Sequence, residues 1–412
     1  MYISFGFLSD RGRPRRTTAK VSSVVVTLGV VSMLTDISSE SVAAILPLYL
    51  TSVIGLSTIA YGVIDGLYQG VSAIVRIGGG WAADRTQQGK WVAFAGYGLS
   101  AFARIGFLVA TGFGAMVSIV TLDRLGKGIR TAPRDAMITA ASAPDELGRS
   151  FGVHRMLDTV GAAIGPLLAF VILLAIPTGF STVFVVSLGA AVLGLIVLGL
   201  LVPGRVSETA RPSTPPVTFS WRKLADRQLR RVLIVAGLCG LFTIGDGFVY
   251  LALQSRTDFA AAWFPLLYVG TNVVFLAFAV PLGRLADRWG RARVFVVGHA
   301  ALLVAYLCAA VPAGGAAGTV VCLLLLGLFY AATDGVLAAL AAQFSPVGAT
   351  ATGLAAAQTV VALSRFVAST VFGVVWFAAG STAALVIFAA GLLLMLPVVA
   401  LVLRRPVRAA AE

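Results

Sequence analysis

About twelve apolar stretches, each near twenty residues long, dominate this chain and limit what it can fold into. They lie at about 22–51, 57–80, 91–112, 115–139, 152–176, 182–202, 232–254, 260–283, 294–313, 317–342, 352–377 and 382–403. A helix of that length crosses the ~30 Å hydrocarbon layer of a bilayer. Inside hydrocarbon the backbone must satisfy its own hydrogen bonds, which leaves helices or closed barrels. Alternating strands of about ten residues are absent, which argues against an outer-membrane barrel. Charged residues make up 12% of the 412, about half the share in soluble domains, which is ~25%. The expected class is an all-α membrane protein with twelve transmembrane helices in two pseudo-symmetric six-helix bundles. Cys239, Cys308 and Cys322 all fall inside apolar stretches and read as small packing residues.

The formal charge of +14 suggests nucleic acid until its placement is considered. With the N-terminus inside, 22 Lys and Arg fall in cytoplasmic segments and one, Arg256, in an exoplasmic loop. That bias places both termini in the cytoplasm of a cell inner membrane. It accounts for the basic balance through topology and anionic lipid, with no nucleic-acid partner. The expected organisation is a basic N-terminus at 1–21, a first bundle at 22–202, a cytoplasmic linker at 203–231, a second bundle at 232–403 and a tail at 404–412. Pro203, Pro212, Pro215 and Pro216 keep the linker extended. Its end, Trp221–Arg227, reads as a short interfacial helix. The N-terminal basic run precedes a full-length span with no small-residue cleavage site near its end, so it is not a cleavable signal.

Ionisable residues at membrane depth are costly and face a partner or a wet cavity. The first half carries Asp36, Glu40, Asp65, Asp123, Asp135 and Asp158, against Arg76, Arg104, Arg124, Lys127, Arg130, Arg134 and Arg155. This near balance favours ion pairs over a bare cationic tunnel. The second half has only Asp246, Asp334 and Arg365. Asp36 and Glu40 are i,i+4 and share a helix face. Two such carboxylates cannot both stay ionised cheaply, which suits proton loading. Pairing with arginines of spans 4 and 5 is the structural alternative. Arg124, Lys127, Arg130 and Arg134 fall within an arc of about 120° and make one face of span 4 cationic. Arg155 and Asp158 are i,i+3 and can pair. His154 is either a proton relay or a hydrogen-bonded helix-end histidine. Asp246 in span 7 and Asp334 in span 10 occupy positions related to Asp36 and Asp135. Gln358, Asn272, Tyr250, Tyr330 and Trp263 are candidates to line a pocket between the halves. No His/Cys/Asp cluster has metal-ligand spacing, so neither a metal nor a cofactor is expected.

A motif G-x-x-x-D-R occurs once per half, 203 residues apart: Gly80, Asp84 and Arg85 followed by Lys90, and Gly283, Asp287 and Arg288 followed by Arg293. These segments resemble motif A of the major facilitator superfamily, in the loops between spans 2–3 and 8–9. The N-half copy departs from it at Thr86-Gln87-Gln88. Arg124-x3-Gly128-x3-Ala132 resembles motif B, with Lys127 in place of the usual Gln. Gly152, Gly161, Gly165 and Pro166 follow the spacing of motif C, with Ala169-Phe170 where that motif has Gly-Gly. The resemblance covers nearly the whole chain. It implies that Asp84 meets a helix N-terminus across the bundle interface and that the two motif A copies form a cytoplasmic gate. It also implies that Arg124 takes part in proton coupling and that the glycine pattern belongs to an exporter.

The expected function is therefore a secondary transporter moving a small molecule by alternating access, with protons as the coupling ion in an export reaction. A monomer in a lipid bilayer is expected. Three alternatives stand beside it: an importer or facilitator of an anionic metabolite, a metal or metal-chelate exporter, and a non-transporting sensor on a transporter scaffold. An enzyme is not expected, because neither a Walker loop nor a nucleophile–base pair is present.

Overall fold

Uninterrupted apolar runs give long helices here, and each turn falls where Gly, Pro or charge interrupts the run. The computed structural model describes residues 21–404 apart from 87, 144–145, 205–225, 258, 312–314 and 347–349. In the first half, α1 (Ser23–Leu48), α2 (Thr58–Thr86), α3 (Gly89–Val109), α4 (Phe113–Ala140), α5 (Leu147–Ala175) and α6 (Phe180–Leu201) each make one crossing. Pro47 cannot continue the hydrogen-bond ladder of α1. The helix passes into a π-helical turn at Tyr49–Val53, where the Thr51 hydroxyl donates to the Pro47 carbonyl at 2.8 Å.

In the second half, α7 (Arg227–Gly240) and α8 (Asp246–Thr257) together make one broken crossing. Then come α9 (Phe264–Trp289), α10 (Arg291–Ala310), α11 (Gly315–Gln343) and α12 (Thr350–Arg404). Gly380, at φ 85° and ψ 166°, divides α12 into two crossings, 350–379 and 381–404. The twelve crossings fall where the apolar runs placed them. Among the described residues, eight segments are long and apolar enough to span a membrane on composition alone. The exceptions are α2 and α4, which carry charge, and α7 and α8, which are short.

Three details depart from the sequence expectation. α2 and α9 run to Thr86 and Trp289, so both G-x-x-x-D-R segments lie in the last helical turns and not in loops. Asp226, expected at the end of an interfacial helix, caps α7 by accepting from the Gln228 and Leu229 amides at 2.8 and 3.1 Å. The rest of that expected helix lies outside the described residues, as do 1–20, most of the linker and 405–412. The break between α7 and α8 has no counterpart in α1, which is continuous through Asp36. Its free backbone groups meet Tyr306, whose hydroxyl accepts from the Ile244 amide at 3.0 Å and donates to the Phe242 carbonyl at 3.1 Å.

The arrangement of the apolar cores fixes the conformation. On the side away from the chain ends, one continuous core joins the halves and includes Ile45, Tyr61 and Phe184 with Phe248, Phe264 and Phe372. On the side of the chain ends the core is split in two. One part, around Val25, Tyr97 and Leu198, belongs to the first half, and the other, around Phe295, Val336 and Val399, to the second. The halves are closed on one face and parted on the other.

Candidate functional site

Between the parted halves lies a cavity of about 460 Å³, lined by α1, α2, α4 and α5 from the first half and α11 and α12 from the second. Arg76 and Arg155 stand at its mouth, with side chains 44% and 37% exposed. Deeper in, Asp36, Lys127, Arg130, Arg134 and Asp158 face Asp334, Gln358 and Arg365. A second cavity of about 250 Å³ continues toward the closed face, lined by Glu40, Asp65, Tyr68, Asp246, Asn272 and Tyr330. Lys127 and Gln69 line both. A third, about 210 Å³, lies between α5 and the second half and takes in Asp246, Asn272, Tyr330 and Asp334.

The basic residues of α4 share a face but not a role. Asp123 holds Arg104 at 3.0 Å and also pairs with Arg124, and all three are buried. The Arg124 guanidinium lies 3.8 Å from the Tyr68 ring centroid. Arg124 lines neither large cavity, which corrects its expected place in the central cavity: it is buried against Asp123 and Tyr68. Arg130 donates to the Ser100 hydroxyl at 2.7 Å and lies over Tyr97. Arg134 pairs with Asp135 at 2.9 Å, and Arg76 reaches the other oxygen of Asp135 at 3.3 Å. Arg155 pairs with Asp158 at 3.2 Å, with Arg134 at the outer limit of 4.0 Å.

Asp36 of α1 and Asp158 of α5 line the same cavity. Among the described residues, neither Asp36 nor Glu40 forms a salt bridge, so the alternative of arginine pairing is not seen for them. The two are also split between cavities, Asp36 in the larger and Glu40 in the one beyond. His154 is buried with both ring nitrogens lacking a hydrogen-bond partner, so it is not a hydrogen-bonded helix-end histidine. His299 is accounted for by packing: its Nδ1 meets the Phe295 carbonyl at 2.9 Å, between the rings of Phe295 and Phe329. In the second half, Asp246 accepts from the Tyr330 hydroxyl at 2.7 Å. Of the other pocket candidates, Tyr250 is buried and donates to Thr271 at 2.7 Å, and Trp263 packs on Phe170 near the closed face. Neither lines a cavity described above.

The motif residues distribute differently from expectation. Lys90, expected at the gate, is buried within its own half. Its ammonium donates to the Gly199 carbonyl at 2.9 Å, near the C-terminal end of α6 where a cation is favoured. Asp287 is 67% exposed and pairs with Arg291 of the next helix at 3.2 Å. Arg293 donates to the Trp289 carbonyl at 3.3 Å, Arg288 is exposed, and Arg85 lies over Trp81. These contacts stay within one half. The side chain of Asp84 lies outside the described residues. Space beside Gly283 is open, and Gly80 meets only Ala132.

Of the motif C glycines, Gly161 and Gly165 seat α5 on α1: a Cβ on Gly161 would come within 2.3 Å of the Met33 carbonyl oxygen. Pro166 is buried just beyond, inside α5. A Cβ on Gly152 would meet nothing within 4 Å, so its expected packing role fails: the residue faces open space while Phe151 beside it packs into the first half's core.

Sequence reasoning undervalued three groups. Asp65 of α2 accepts from the Ser369 hydroxyl of α12 at 2.6 Å, bridging the halves on the closed side, and its carboxylate nests where a Cβ on Gly245 would stand. Lys127 and Arg365 line the large cavity. Arg365 was visible as the lone base in the second half's spans.

A family model described as Major Facilitator Superfamily matches residues 28–369. The uncharacterized MFS-type transporter MJ1317 of Methanocaldococcus jannaschii is 31% identical over 286 residues, covering 68% of this chain and 70% of that protein. Among solved structures, the nucleoside transporter NupG superposes with a TM-score of 0.78 at 14% identity, over 93% of this chain and 100% of that one. A bacterial homolog of the human lysosomal transporter Spinster, in an inward-facing and unoccupied conformation, gives 0.69 at 14% identity, over 92% and 94%.

Proposed function

The chain belongs to the major facilitator superfamily and is a multi-pass membrane transporter of that type, not an enzyme; we propose that it is a secondary transporter that moves a small molecule by alternating access coupled to protons. The observation that carries this reading is the charged cavity, walled by both halves, between a shared core on one face and split cores on the other. A cleft of that kind exposes its walls to one side of the membrane at a time. Rocking the halves about the shared core exchanges the open side.

The excess of Lys and Arg on the chain-end side supports a cytoplasmic membrane with both termini inside. In that orientation the cavity opens to the cytoplasm. The proton carriers are Asp36 and Asp158, neighbouring carboxylates in a wet cleft whose repulsion eases when one takes a proton. Arg134 and Arg155 hold Asp158 in place. Asp246 and Asp334 line the second half's wall. The motif A turns at the ends of α2 and α9 close the cytoplasmic side when the halves swing together. Export is supported by the Gly161–Gly165 part of the glycine pattern, and the unused Gly152 weakens it.

The test begins with a panel of small molecules scored by thermal stabilisation of the purified protein at two pH values, since a ligand favouring the native state raises its apparent stability. The hit is then followed in proteoliposomes. The proposal expects flux that responds to an imposed pH gradient and loses that response in Asp36→Asn. Flux indifferent to the gradient overturns proton coupling.

A further inference from the structure

The large cavity is not charge-balanced, although the first half's spans nearly are. Six bases and three acids line it. Asp135 holds Arg76 and Arg134 without joining the lining, and counting it leaves two positive charges in excess. The distribution matters more than the sum. Arg76, Arg134 and Arg155 are engaged by Asp135 and Asp158. Lys127, Arg130 and Arg365 have no carboxylate within salt-bridge distance among the described residues. The Lys127 ammonium also makes no hydrogen bond among the described residues, although it stands at the junction of two cavities. Arg365 lies over Tyr330 and keeps a buried Nε with no hydrogen-bond partner. Two of these cations come from α4 and the third from α12, so they face one another across the cleft between the halves.

A buried donor without a partner is costly, and three unneutralised cations on facing walls repel. Both penalties are relieved by one anion bridging the walls. We propose that the substrate is a small water-soluble organic anion bearing carboxylate or phosphate groups, held between Lys127 and Arg130 of the first half and Arg365 of the second. This rests on the transporter reading and deepens it. Because the ligand touches both halves, it draws them together and favours closure of the open side.

The coupling follows from the same charges. Asp36 faces Glu40 on its own helix, Lys127 and Arg130 on α4, and Asp158 on α5. A proton on Asp36 removes a negative competitor for Lys127 and Arg130 in the same cavity wall. Anion and proton therefore bind cooperatively and travel in the same direction; driven by an inward proton gradient this is uptake, so the cavity charge argues against the export direction that the Gly161–Gly165 pattern supports.

The test reads cavity charge without knowing the ligand. Ser72→Cys on α2 and Gln358→Cys on α12 each place a thiol in the cavity wall. The full-length protein is reconstituted in vesicles and treated from either face with membrane-impermeant methanethiosulfonates, one a sulfonate (MTSES) and one a quaternary ammonium (MTSET). Modification is counted at each cysteine by mass spectrometry. With rates normalised to a free thiol, the anionic reagent is expected to win by about tenfold or more, the range in which a charged cleft concentrates its counter-ions. Adding Lys127→Gln with Arg365→Gln is expected to remove most of that preference. Parity between reagents, or faster reaction with MTSET, at both cysteines overturns the anion proposal. Failure of alternating access has a separate signature: reaction with either reagent from one face only, under every condition.

Discussion

Replacing Asp123 by Asn asks whether Arg124 is structural or mobile. In the structure Asp123, Arg104 and Arg124 form a buried trio, with side chains only 3–4% exposed. The substitution keeps the shape and removes the one negative charge, leaving two guanidiniums buried without it. Breaking a buried pair from one side costs about 3–5 kcal/mol. The pair of Asp287 with Arg291 is a natural control, since those side chains are 67% and 36% exposed. Losing an exposed pair costs roughly 0–1 kcal/mol. An unfolding entropy of about 2 cal/mol/K per residue over 412 residues converts 1 kcal/mol to roughly 1 °C. Asp123→Asn is therefore expected to lower the melting temperature in detergent by about 3–6 °C, and Asp287→Asn by about 1 °C or less. Differential scanning fluorimetry on both variants, at one detergent concentration, makes the comparison. Equal shifts, or an Asp123→Asn protein as stable as the parent, refute the reading of Arg124 as neutralised by Asp123.

Gly161→Ala forces a Cβ to within 2.3 Å of the Met33 carbonyl oxygen, and such overpacking costs about 1–3 kcal/mol; Gly152→Ala has open space and leaves melting and monodisperse yield unchanged. Ser369→Ala removes a hydrogen bond to the Asp65 carboxylate that joins the halves on the closed side. A bond to a charged group is worth about 1.5–3 kcal/mol, so a cysteine at Ala43, in the deeper cavity, is expected to label at least about tenfold faster from the face away from the chain ends. Lys90→Met leaves the Gly199 carbonyl without its donor and is expected to lower stability by about 1 kcal/mol or more without changing the charge preference of the cavity.

The twelve crossings were legible because each is a long apolar run, and a bilayer admits little else. The break between α7 and α8 was not, since it depends on Tyr306, 62 to 64 residues away in sequence, satisfying the Phe242 and Ile244 backbone groups. The cationic face of α4 was also legible, as angle alone gives it. What angle cannot give is the partner. Arg124 and Arg130 sit on one face, yet Asp123 and Tyr68 engage the first and Ser100 and Tyr97 the second. The motif glycines show the same limit, because Gly161 meets α1 and Gly152 meets nothing at similar motif standing. Counting charges over whole spans gave near balance in the first half. The excess emerges only when the fold sorts those charges into buried trio, mouth and cavity, and sets Arg365 against them.

The central claim is that the halves rock about the shared core, and distances across both faces test it most directly. Spin labels at Ser57 and Ala379 report the closed face, and labels at Thr86 and Gln343 the parted one; all four positions are exposed. Double electron–electron resonance in lipid nanodiscs at two pH values, with and without a stabilising ligand, gives each pair's distribution. The account predicts two populations at each face that exchange in opposition, one pair lengthening as the other shortens. A single unchanging distance at both faces under every condition contradicts it.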